Sequence, residues 1–301
     1  MPRLLAVTGP RTDRSHVELF RTASAGKAEF ILLERPDLEQ FAAALAQSFD
    51  CTLLFGGDGT LNRYLGELLR AQVPVLPVPS GSGNDFARAL GVRNSSTALD
   101  ALESLLAGSP PTQIARCDIA SLVTRDTSGN PQQQYFSCCV NVGLDADAAA
   151  RANRLPTWLK ERGGYFLGGL GAIASFQPEQ YAITVDGEKL ETDLWFIAVL
   201  NTPTYGGGLK IAPHAGIFDR RLEYVSCQTI PRWRLFQHIP KLISGKNLRI
   251  VPYLDYRSIA QLTVQTQSPS PVYADGEFMG LTPIEVSLAA NTLPVLRRKS
   301  H

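Results

Sequence analysis

Two glycine-rich turns carry the residues of this chain best suited to chemistry. Gly56-Gly57-Asp58-Gly59-Thr60 follows the apolar run Cys51–Phe55, and Gly81-Ser82-Gly83-Asn84-Asp85 follows the run Pro74–Pro79. Glycine lets backbone N–H groups approach an anion closely, and a helix after the turn adds unpaired N–H groups and the positive end of its dipole. Two such turns can cradle one polyphosphate.

Asp58 lies inside the first turn. Phosphate repels a carboxylate beside its binding amides unless a divalent cation lies between them, which predicts Mg²⁺ here. The alternative is a plain turn residue, because Asp-Gly is a common turn pair. In the second turn, the side chains of Ser82 and Asn84 can reach phosphate oxygens or the first turn; alternatively, they act as helix caps. No Lys follows the glycines, so neither turn has the P-loop pattern.

Three further segments contain glycine between strand-like runs. Asp186-Gly187-Glu188 and Asp275-Gly276-Glu277 are both typical of hairpin turns, and the pattern alone does not choose between them as a functional site. Asn201–Pro213 contains three consecutive glycines next to a Tyr and a Lys. This run predicts close approach of the backbone to a ligand or to another strand, with a flexible linker as the alternative.

The elements that must position the two turns form an α/β pattern in the first 110 or so residues. Such alternation predicts a parallel sheet covered on both faces, with ligands beyond the carboxyl ends of its strands, where both turns fall. Asp37 is predicted to cap a helix. The predicted strands are Arg3–Thr8, Glu29–Leu33, Cys51–Phe55 and Pro74–Pro79; the predicted helices are Asp37–Phe49, Leu61–Ala71, Asn84–Leu90 and Thr97–Ala107.

After Cys117 the pattern becomes that of an antiparallel β domain with one helical insertion, at about 146–176. We therefore predict two domains, 1–115 and 116–288, with the tail 289–301 available to pack back on the first. The predicted hairpins and strands are Asp118–Thr124 with Gln134–Asn141 around Gly129-Asn130, Tyr181–Val185 with Lys189–Val199 around Asp186-Gly187, and Leu262–Gln265, Val272–Ala274 and Ile284–Leu288.

Composition limits the partners and the location. The 301 residues carry a formal net charge of +1 with no long run of like charge, which argues against a nucleic-acid partner. The apolar stretch Met1–Val7 is too short for a signal peptide, and no segment has the pattern of a membrane span, so the expected location is the cytoplasm. The five cysteines lack zinc-ligand spacing and are interpreted as buried thiols.

Six segments in register give the chain a family resemblance. In chain order they are Gly56–Asn62, Pro79–Gly91, Asn141–Ala146, Gly163–Leu167, Asn201–Pro213 and Asp275–Glu277. Together they resemble the bacterial diacylglycerol kinase-like lipid kinases, relatives of the sphingosine and ceramide kinases, over nearly the whole chain. The resemblance implies an α/β N-terminal domain related to the NAD kinase and phosphofructokinase folds, which binds ATP, and a C-terminal antiparallel β-sandwich domain.

The resemblance also selects residues. It implies that Glu277, supported by Asp275, is the catalytic base and that Glu188 is not. ATP would contact the first turn and the start of its helix (Gly56, Gly57, Asp58, Gly59, Thr60, Leu61, Asn62) and the second turn (Ser82, Asn84, Asp85), with Asp58 facing phosphate-bound Mg²⁺. A structural metal would be held by the Asp219 carboxylate and the backbone carbonyls of Gly216 and Arg221.

Four segments depart from the family pattern. Gly9–Asp13 replaces Asn-Pro-x-Ser/Ala-Gly, no threonine is recognisable after Leu33-Glu34, and Arg63 replaces a glutamate. Phe218–Glu223 replaces Asp-Asp-Gly-x-Leu-Asp, so one carboxylate of the metal site is missing while Arg220 and Arg221 add positive charge. We therefore predict a structural metal site that is empty or filled only at high Mg²⁺.

These observations predict an enzyme that phosphorylates a lipid hydroxyl with ATP and Mg²⁺. The alternatives are a soluble-substrate kinase of NAD kinase type and a non-catalytic nucleotide-binding regulator. The lipid would be presented at a membrane surface, with peripheral contact at the inner membrane face at most. Leu155–Phe176, which contains Trp158 and Tyr165, is either the contact with lipid or an ordinary packed helix pair. The sequence does not indicate an oligomeric state.

Overall fold

The computed structural model describes residues 1–81, 83–108, 114–156, 164–237 and 251–297. The chain divides into two compact units, Met1–Asp118 with Ala290–His301, and Ile119–Ala289. The predicted boundary after residue 115 falls inside a strand, Ile114–Cys117, that belongs to the first unit. The C-terminal segment of the first unit supplies a strand to its sheet.

The first unit is an α/β domain whose elements are numbered in chain order. Its strands are β1 (Arg3–Thr8), β2 (Glu29–Glu34), β3 (Cys51–Gly56), β4 (Val75–Pro79), β5 (Ile114–Cys117) and β16 (Leu293–Leu296). Its helices are α1 (Arg14–Ser24), α2 (Leu38–Leu45), α3 (Asp58–Ala71), α4 (Asp85–Ala89) and α5 (Ser95–Leu106).

The sheet of the first unit has the strand order β2-β1-β3-β4-β16-β5. Strands β1 to β4 pair in parallel, as the sequence predicted. Leu4, Leu5, Ala6 and Val7 of β1 have no exposed surface, as expected for a central strand covered on both faces. The carboxyl ends of β1 to β4 therefore lie at one edge, where the chain leaves each strand for a turn.

Three elements of the first unit were not predicted: helix α1 and the strands β5 and β16. Helix α1 buries only Val17, Phe20 and Ser24, so its apolar stripe is too narrow to stand out in the sequence. Strand β16 lies between β4 and β5, parallel to β4 and antiparallel to β5. Four apolar residues near the end of a chain do not show by themselves which strands they join.

The second unit is an antiparallel β domain, which confirms the predicted fold class. Its strands are β6 (Ala120–Arg125), β7 (Pro131–Phe136), β8 (Cys139–Gly143), β9 (Glu179–Val185), β10 (Glu188–Leu200), β11 (Leu222–Gln228), β12 (Leu254–Ile259), β13 (Gln261–Thr266), β14 (Pro271–Ala274) and β15 (Glu277–Leu288). The helices α6 (Leu144–Arg154) and α7 (Gly164–Ser175) lie in the predicted insertion.

The pairing of these strands closes on itself. The order β10-β8-β14-β15-β13-β9 returns to β10 through the β9–β10 hairpin. Side chains alternate between two apolar clusters: Val140 and Val142 of β8 lie in one, and Cys139 lies in the other, together with Leu144 and Ala148 of α6. One face of the sheet therefore packs on itself and the other is covered by the helical insertion.

The predictions for two hairpins and for the cysteines are also confirmed. The turns at Gly129-Asn130 and Asp186-Gly187 connect paired strands, β6 with β7 and β9 with β10. All five cysteines are buried free thiols. Among the described residues, no helix is both long and apolar enough to span a bilayer.

The predicted cap of α2 gives a test of the fold. The Asp37 carboxylate accepts the Gln40 N–H, and the Gln40 side chain accepts the Asp37 N–H, which forms a capping box. We expect Asp37→Ala to lower the free energy of unfolding by about 1 kcal/mol, the usual value of an N-cap side chain. Urea unfolding checks this, with Glu39→Ala in the same first turn as the control; equal stability in the two variants would contradict it.

Candidate functional site

Both glycine turns lie at the carboxyl ends of neighbouring strands. Gly56 of β3 is the register partner of Pro79 of β4, and the Ser80 N–H donates to Gly56 O at 3.1 Å. Helix α3 begins at Asp58, three residues earlier than predicted, with Gly57 as its N-cap. The first turn is therefore a direct passage from strand to helix, and the first N–H groups of α3 lack acceptors within the helix.

The two turns touch through their backbones. A Cβ on Gly81 would lie 2.6 Å from Gly57 Cα and 2.9 Å from Gly57 N, closer than real atoms approach. A side chain at Gly81 would therefore push the turns apart. Glycine occurs at this contact because there is no room for a Cβ atom, and not because of a positive φ angle. Ser82, predicted to contact phosphate, lies outside the described residues.

Asp58 joins the first glycine turn to helix α4, which follows the second glycine turn. Its Oδ2 accepts the N–H groups of Asn84 at 2.8 Å and Asp85 at 2.9 Å, and its Oδ1 accepts the Phe86 N–H at 3.0 Å. A carboxylate is favourable at a helix N-terminus, where these N–H groups have no acceptors within the helix. The structure thus gives Asp58 a capping role, and its contact with phosphate-bound Mg²⁺ stays a prediction.

Other residues predicted to contact the nucleotide are engaged within the protein. The Asn84 side-chain amide closes the second turn by bonding Gly81 N at 3.1 Å and Gly81 O at 2.7 Å. The buried Asp85 pairs with Arg88, and Leu61 packs in the core. The backbone N–H groups of the turns remain the better candidates for phosphate contact, since these side chains already have partners.

Gly59, Thr60 and Asn62 are half-buried along the start of α3. The Thr60 side chain packs against the glycine after β1, because a Cβ on Gly9 would lie 2.6 Å from Thr60 Oγ1. The Thr60 N–H donates to Gly57 O at 3.0 Å. Thr60 therefore links the first glycine turn to the loop after β1.

A cavity of about 500 Å³ lies beside this loop. Its lining comes from the ends of β1 and β2 and from α1: Thr8, Gly9, Thr12, Arg14, Val17, Glu18, Arg21, Leu32, Glu34 and Arg35. It occupies the carboxyl edge of the parallel sheet, the usual position of ligands in such folds.

Thr12 and Arg35 hold the loop where the chain departs from the family pattern. Thr12 Oγ1 donates to Phe55 O at 2.8 Å and accepts the Gly9 N–H at 3.0 Å. Arg35 donates from Nη2 to Pro10 O at 2.9 Å and from its backbone to Thr8 Oγ1 at 3.1 Å. Sequence reasoning missed both residues, although the altered segments 9–13 and 33–34 marked the region.

In the second unit, Asp275-Gly276 forms the turn between β14 and β15, and Glu277 is the first residue of β15. Glu277 is exposed. It lies near Tyr273: burial raises the pKa of the Tyr273 hydroxyl, the Arg154 guanidinium opposes that rise, and the negative charge of Glu277 adds to it. Glu277 is thus an accessible carboxylate near the Tyr273 phenol.

Asp275 is not accessible in the same way. Its carboxylate accepts the N–H groups of Ser137 (2.7 Å), Cys138 (2.8 Å) and Cys139 (3.0 Å) and the Ser137 hydroxyl at 3.0 Å. Burial raises the pKa of the Asp275 carboxyl, and these donors oppose the rise. The geometry gives Asp275 an anchoring role.

The other Asp-Gly-Glu turn has the same backbone in a different setting. Asp186 and Gly187 have φ angles of 47° and 93°, against 49° and 85° for Asp275 and Gly276. Asp186 Oδ1 accepts only the Ala260 and Gln261 N–H groups among the contacts described, and Glu188 pairs with Arg257 at 3.3 Å. The hairpin interpretation holds for both turns, and their surroundings distinguish them.

The glycine run after β10 forms a turn and not a linker. Gly206, Gly207 and Gly208 all have positive φ and connect the paired residues Tyr205 and Leu209. Tyr205 is buried, and its hydroxyl donates to Asp145 Oδ2 at 2.7 Å. Burial raises the pKa of Asp145 to about 6, although the Tyr205 hydrogen bond opposes that rise. The segment is thereby tied to the start of α6.

The segment predicted to meet lipid is partly packed. Phe176 lies against Trp195, with ring centroids 6.5 Å apart, and Ala172 and Ile173 of α7 are buried. This end of the insertion has the packing of an ordinary core helix. Trp158 lies outside the described residues.

Comparisons with known proteins match both halves of the chain to the same group of kinases. Residues 10–117 match the model "Diacylglycerol kinase catalytic domain", and residues 138–297 match "YegS C-terminal NAD kinase beta sandwich-like domain". A diacylglycerol kinase of Mycobacterium tuberculosis (strain H37Rv) is 30% identical over 85% of this chain and 79% of its own length. A diacylglycerol kinase of Bacillus subtilis (strain 168) is 26% identical over 80% and 76%.

Solved structures support the same fold. A diacylglycerol kinase from Bacillus anthracis str. Sterne superposes with a TM-score of 0.70 at 16% identity and covers 98% of this chain and 97% of its own. Yeast NADH kinase complexed with NADH superposes with a TM-score of 0.57 at 11% identity and covers 99% and 84%. At these identities the likeness concerns the fold alone.

The segment 216–221 does not suit a divalent cation. Asp219 Oδ1 accepts the Arg221 N–H at 3.0 Å, and Oδ2 lies against Gly216, where a Cβ would be 2.9 Å away. Arg220 and Arg221 flank this single carboxylate, and no cluster of three His, Cys, Asp or Glu side chains occurs within the described ranges. A hard cation needs more oxygen ligands and more negative charge.

The contact between the glycine turns predicts how a methyl group acts there. Gly81→Ala should separate the turns and weaken ATP binding by about tenfold or more, equivalent to at least ~1.4 kcal/mol. Calorimetric titration with ATP measures the change, and far-UV circular dichroism verifies folding. Gly169→Ala is the control, because its Cβ would meet nothing within 4 Å. If Gly81→Ala folds and binds ATP with unchanged affinity, the contact between Gly57 and Gly81 is not needed for ATP binding.

The metal segment gives a second prediction. Mg²⁺ titrated into nucleotide-free protein should show no binding tighter than roughly millimolar, the range of weak oxygen-ligand sites. Asp219→Asn should give the same calorimetric trace. A micromolar site that disappears in Asp219→Asn would show that the segment binds metal despite its two arginines.

Proposed function

The chain belongs to the family of bacterial diacylglycerol kinase-like lipid kinases, and on that premise we propose that it transfers the γ-phosphoryl group of ATP to a hydroxyl of diacylglycerol or a related glycerolipid. The observation that carries the proposal is the contact of Gly57 with Gly81, which brings together two backbone turns that lead into helices. Phosphoryl transfer needs mainly positioning and stabilisation of charge, and backbone N–H groups of this kind supply both.

In the proposed reaction MgATP is the substrate. The triphosphate lies along the first turn of α3, and the loop held by Thr12 and Arg35 borders the cavity that would take the rest of the nucleotide. Asp58 caps helix α4 and thereby keeps the second glycine turn against the first. We assign no direct metal ligand, because Asp58 already accepts three N–H groups.

Glu277 is the proposed general base. Its carboxylate is exposed at the start of β15, so it can accept the proton of an acceptor hydroxyl as that hydroxyl attacks phosphorus. Asp275 supports it by anchoring the preceding turn and takes no proton itself.

The lipid hydroxyl would come from a membrane surface reached from the cytoplasm, with peripheral contact at most. This part of the proposal rests on the family's acceptor and on the insertion between β8 and β9. Phosphate transfer from labelled ATP to lipid micelles, to NAD or to neither separates a lipid kinase, an NAD kinase-type enzyme and a non-catalytic regulator. Transfer to NAD, or none, would overturn the proposal.

The two matching Asp-Gly-Glu turns provide an internal control for the base. Glu277→Gln keeps the size of the side chain and removes its ability to accept a proton, so turnover should fall by roughly 10²- to 10⁴-fold with ATP affinity nearly unchanged. Glu188→Gln should keep normal turnover. The reverse result, measured with lipid micelles and labelled ATP, would show that the other turn carries the base.

A further inference from the structure

The position of Glu277 depends on a turn that is fixed from one side by three consecutive peptide groups. The N–H groups of Ser137, Cys138 and Cys139 converge on the Asp275 carboxylate, and the Asp275 N–H donates back to Cys139 O at 3.0 Å. Successive N–H groups that face one anion form a concave binding site. Glu277 follows Asp275 by two residues, so a shift of the segment 137–139 would move Asp275 and Glu277 with it.

The carbonyl groups of the same segment are held from the opposite side. Asn201 donates from its backbone to Cys138 O at 2.8 Å and from Nδ2 to Ser137 O at 2.9 Å, and the Thr202 N–H donates to Cys138 O at 3.3 Å. Ser137, Asn201 and Thr202 have no exposed surface. These bonds are therefore shielded from water, where a lost partner leaves a buried carbonyl unsatisfied.

Residues 137 and 138 form the corner between β7 and β8, outside both strands. Backbone N–H groups of Asn201 and Thr202 hold the Cys138 carbonyl. The Ser137 carbonyl instead accepts from the side chain of Asn201, the residue after β10. Ser137 O and the Cys138 N–H belong to one planar peptide group, so the direction of the Cys138 N–H toward Asp275 depends on the Asn201 side chain.

The chain contains its own comparison for this arrangement. The Asp186-Gly187 turn has nearly the same φ angles, and its aspartate also accepts N–H groups of a neighbouring segment. That turn is exposed, and the contacts described for Asp186 include no hydroxyl donor. The Asp186 turn therefore forms with fewer hydrogen bonds. The buried hydrogen bonds of Asn201 and Thr202 to Ser137 and Cys138 exceed what this turn conformation requires.

We propose that Asn201 is a positioning residue for Glu277: its side chain holds the peptide group between Ser137 and Cys138, which directs the Cys138 N–H to Asp275 and so holds the base against the acceptor hydroxyl. The inference rests on the proposed role of Glu277. Asn201 itself contacts no reacting atom. A displacement of the base by about 1 Å is enough to cost up to ~10²-fold in rate.

Asn201→Ala tests the inference in the full-length protein. We expect kcat with lipid micelles to fall by about 10- to 100-fold while KM for ATP stays within about twofold, since the ATP turns belong to the other unit. The amide resonances of Gly276 and Glu277 should shift in ¹⁵N spectra, and those of Gly187 and Glu188 should not. Asp186→Asn is the control for kcat and should leave it unchanged.

A double-mutant cycle separates positioning from a merely structural role. If Asn201 acts through Glu277, adding Asn201→Ala to Glu277→Gln should lower turnover by no more than about twofold, because the two changes remove the same contribution. Independent losses that multiply would overturn the inference and leave the base assignment intact. Normal turnover in Glu277→Gln would overturn the base assignment and the inference with it.

Ser137→Ala serves if Asn201→Ala does not fold. It removes the hydroxyl bond to Asp275 and leaves the three N–H donors in place. The inference is supported if Ser137→Ala lowers kcat by less than the fall expected for Asn201→Ala and leaves KM for ATP unchanged. Adding Ser137→Ala to Glu277→Gln should then lower turnover no further. A kcat equal to that of the wild type, or unmoved Gly276 and Glu277 resonances, would overturn it.

Discussion

The arrangement of the first unit's candidate site depends on the hydrogen bonds of one carboxylate. Asp58 lies at the start of α3 and accepts three successive N–H groups at the start of α4. The bonds place the two glycine turns together, and the absence of side chains at Gly57 and Gly81 permits their contact. Charge-assisted bonds to backbone N–H groups are strong, and removal of the carboxylate would leave those N–H groups without partners.

The second unit uses the same device. Asp275 accepts three consecutive N–H groups and a hydroxyl, and in doing so fixes the turn before Glu277. In both units, an aspartate next to glycine accepts backbone N–H groups of another segment. A carboxylate in a glycine-rich motif therefore gives little information about catalysis until its partners are known.

Much of the fold followed from local patterns. The four parallel strands, the N-cap at Asp37 and the hairpins at Gly129-Asn130 and Asp186-Gly187 were all predictable, because each depends on residues close in sequence. Helix α1 and strand β16 were not, since one has a narrow apolar stripe and the other gains its place from strands far away in the chain. The start of α3 was misplaced because its first turn lies within the glycine motif.

The sequence by itself determined the types of residue available and the turns that carry them: two glycine turns after buried strands, and two Asp-Gly-Glu hairpins. The tertiary structure decided which atom each side chain faces. Asp58 meets Asn84 across 26 residues, and Asp275 meets Ser137 across 138. No local pattern contains such pairs, because a carboxylate takes whichever donors the fold brings to it. Burial then decides whether that carboxylate remains available to a substrate.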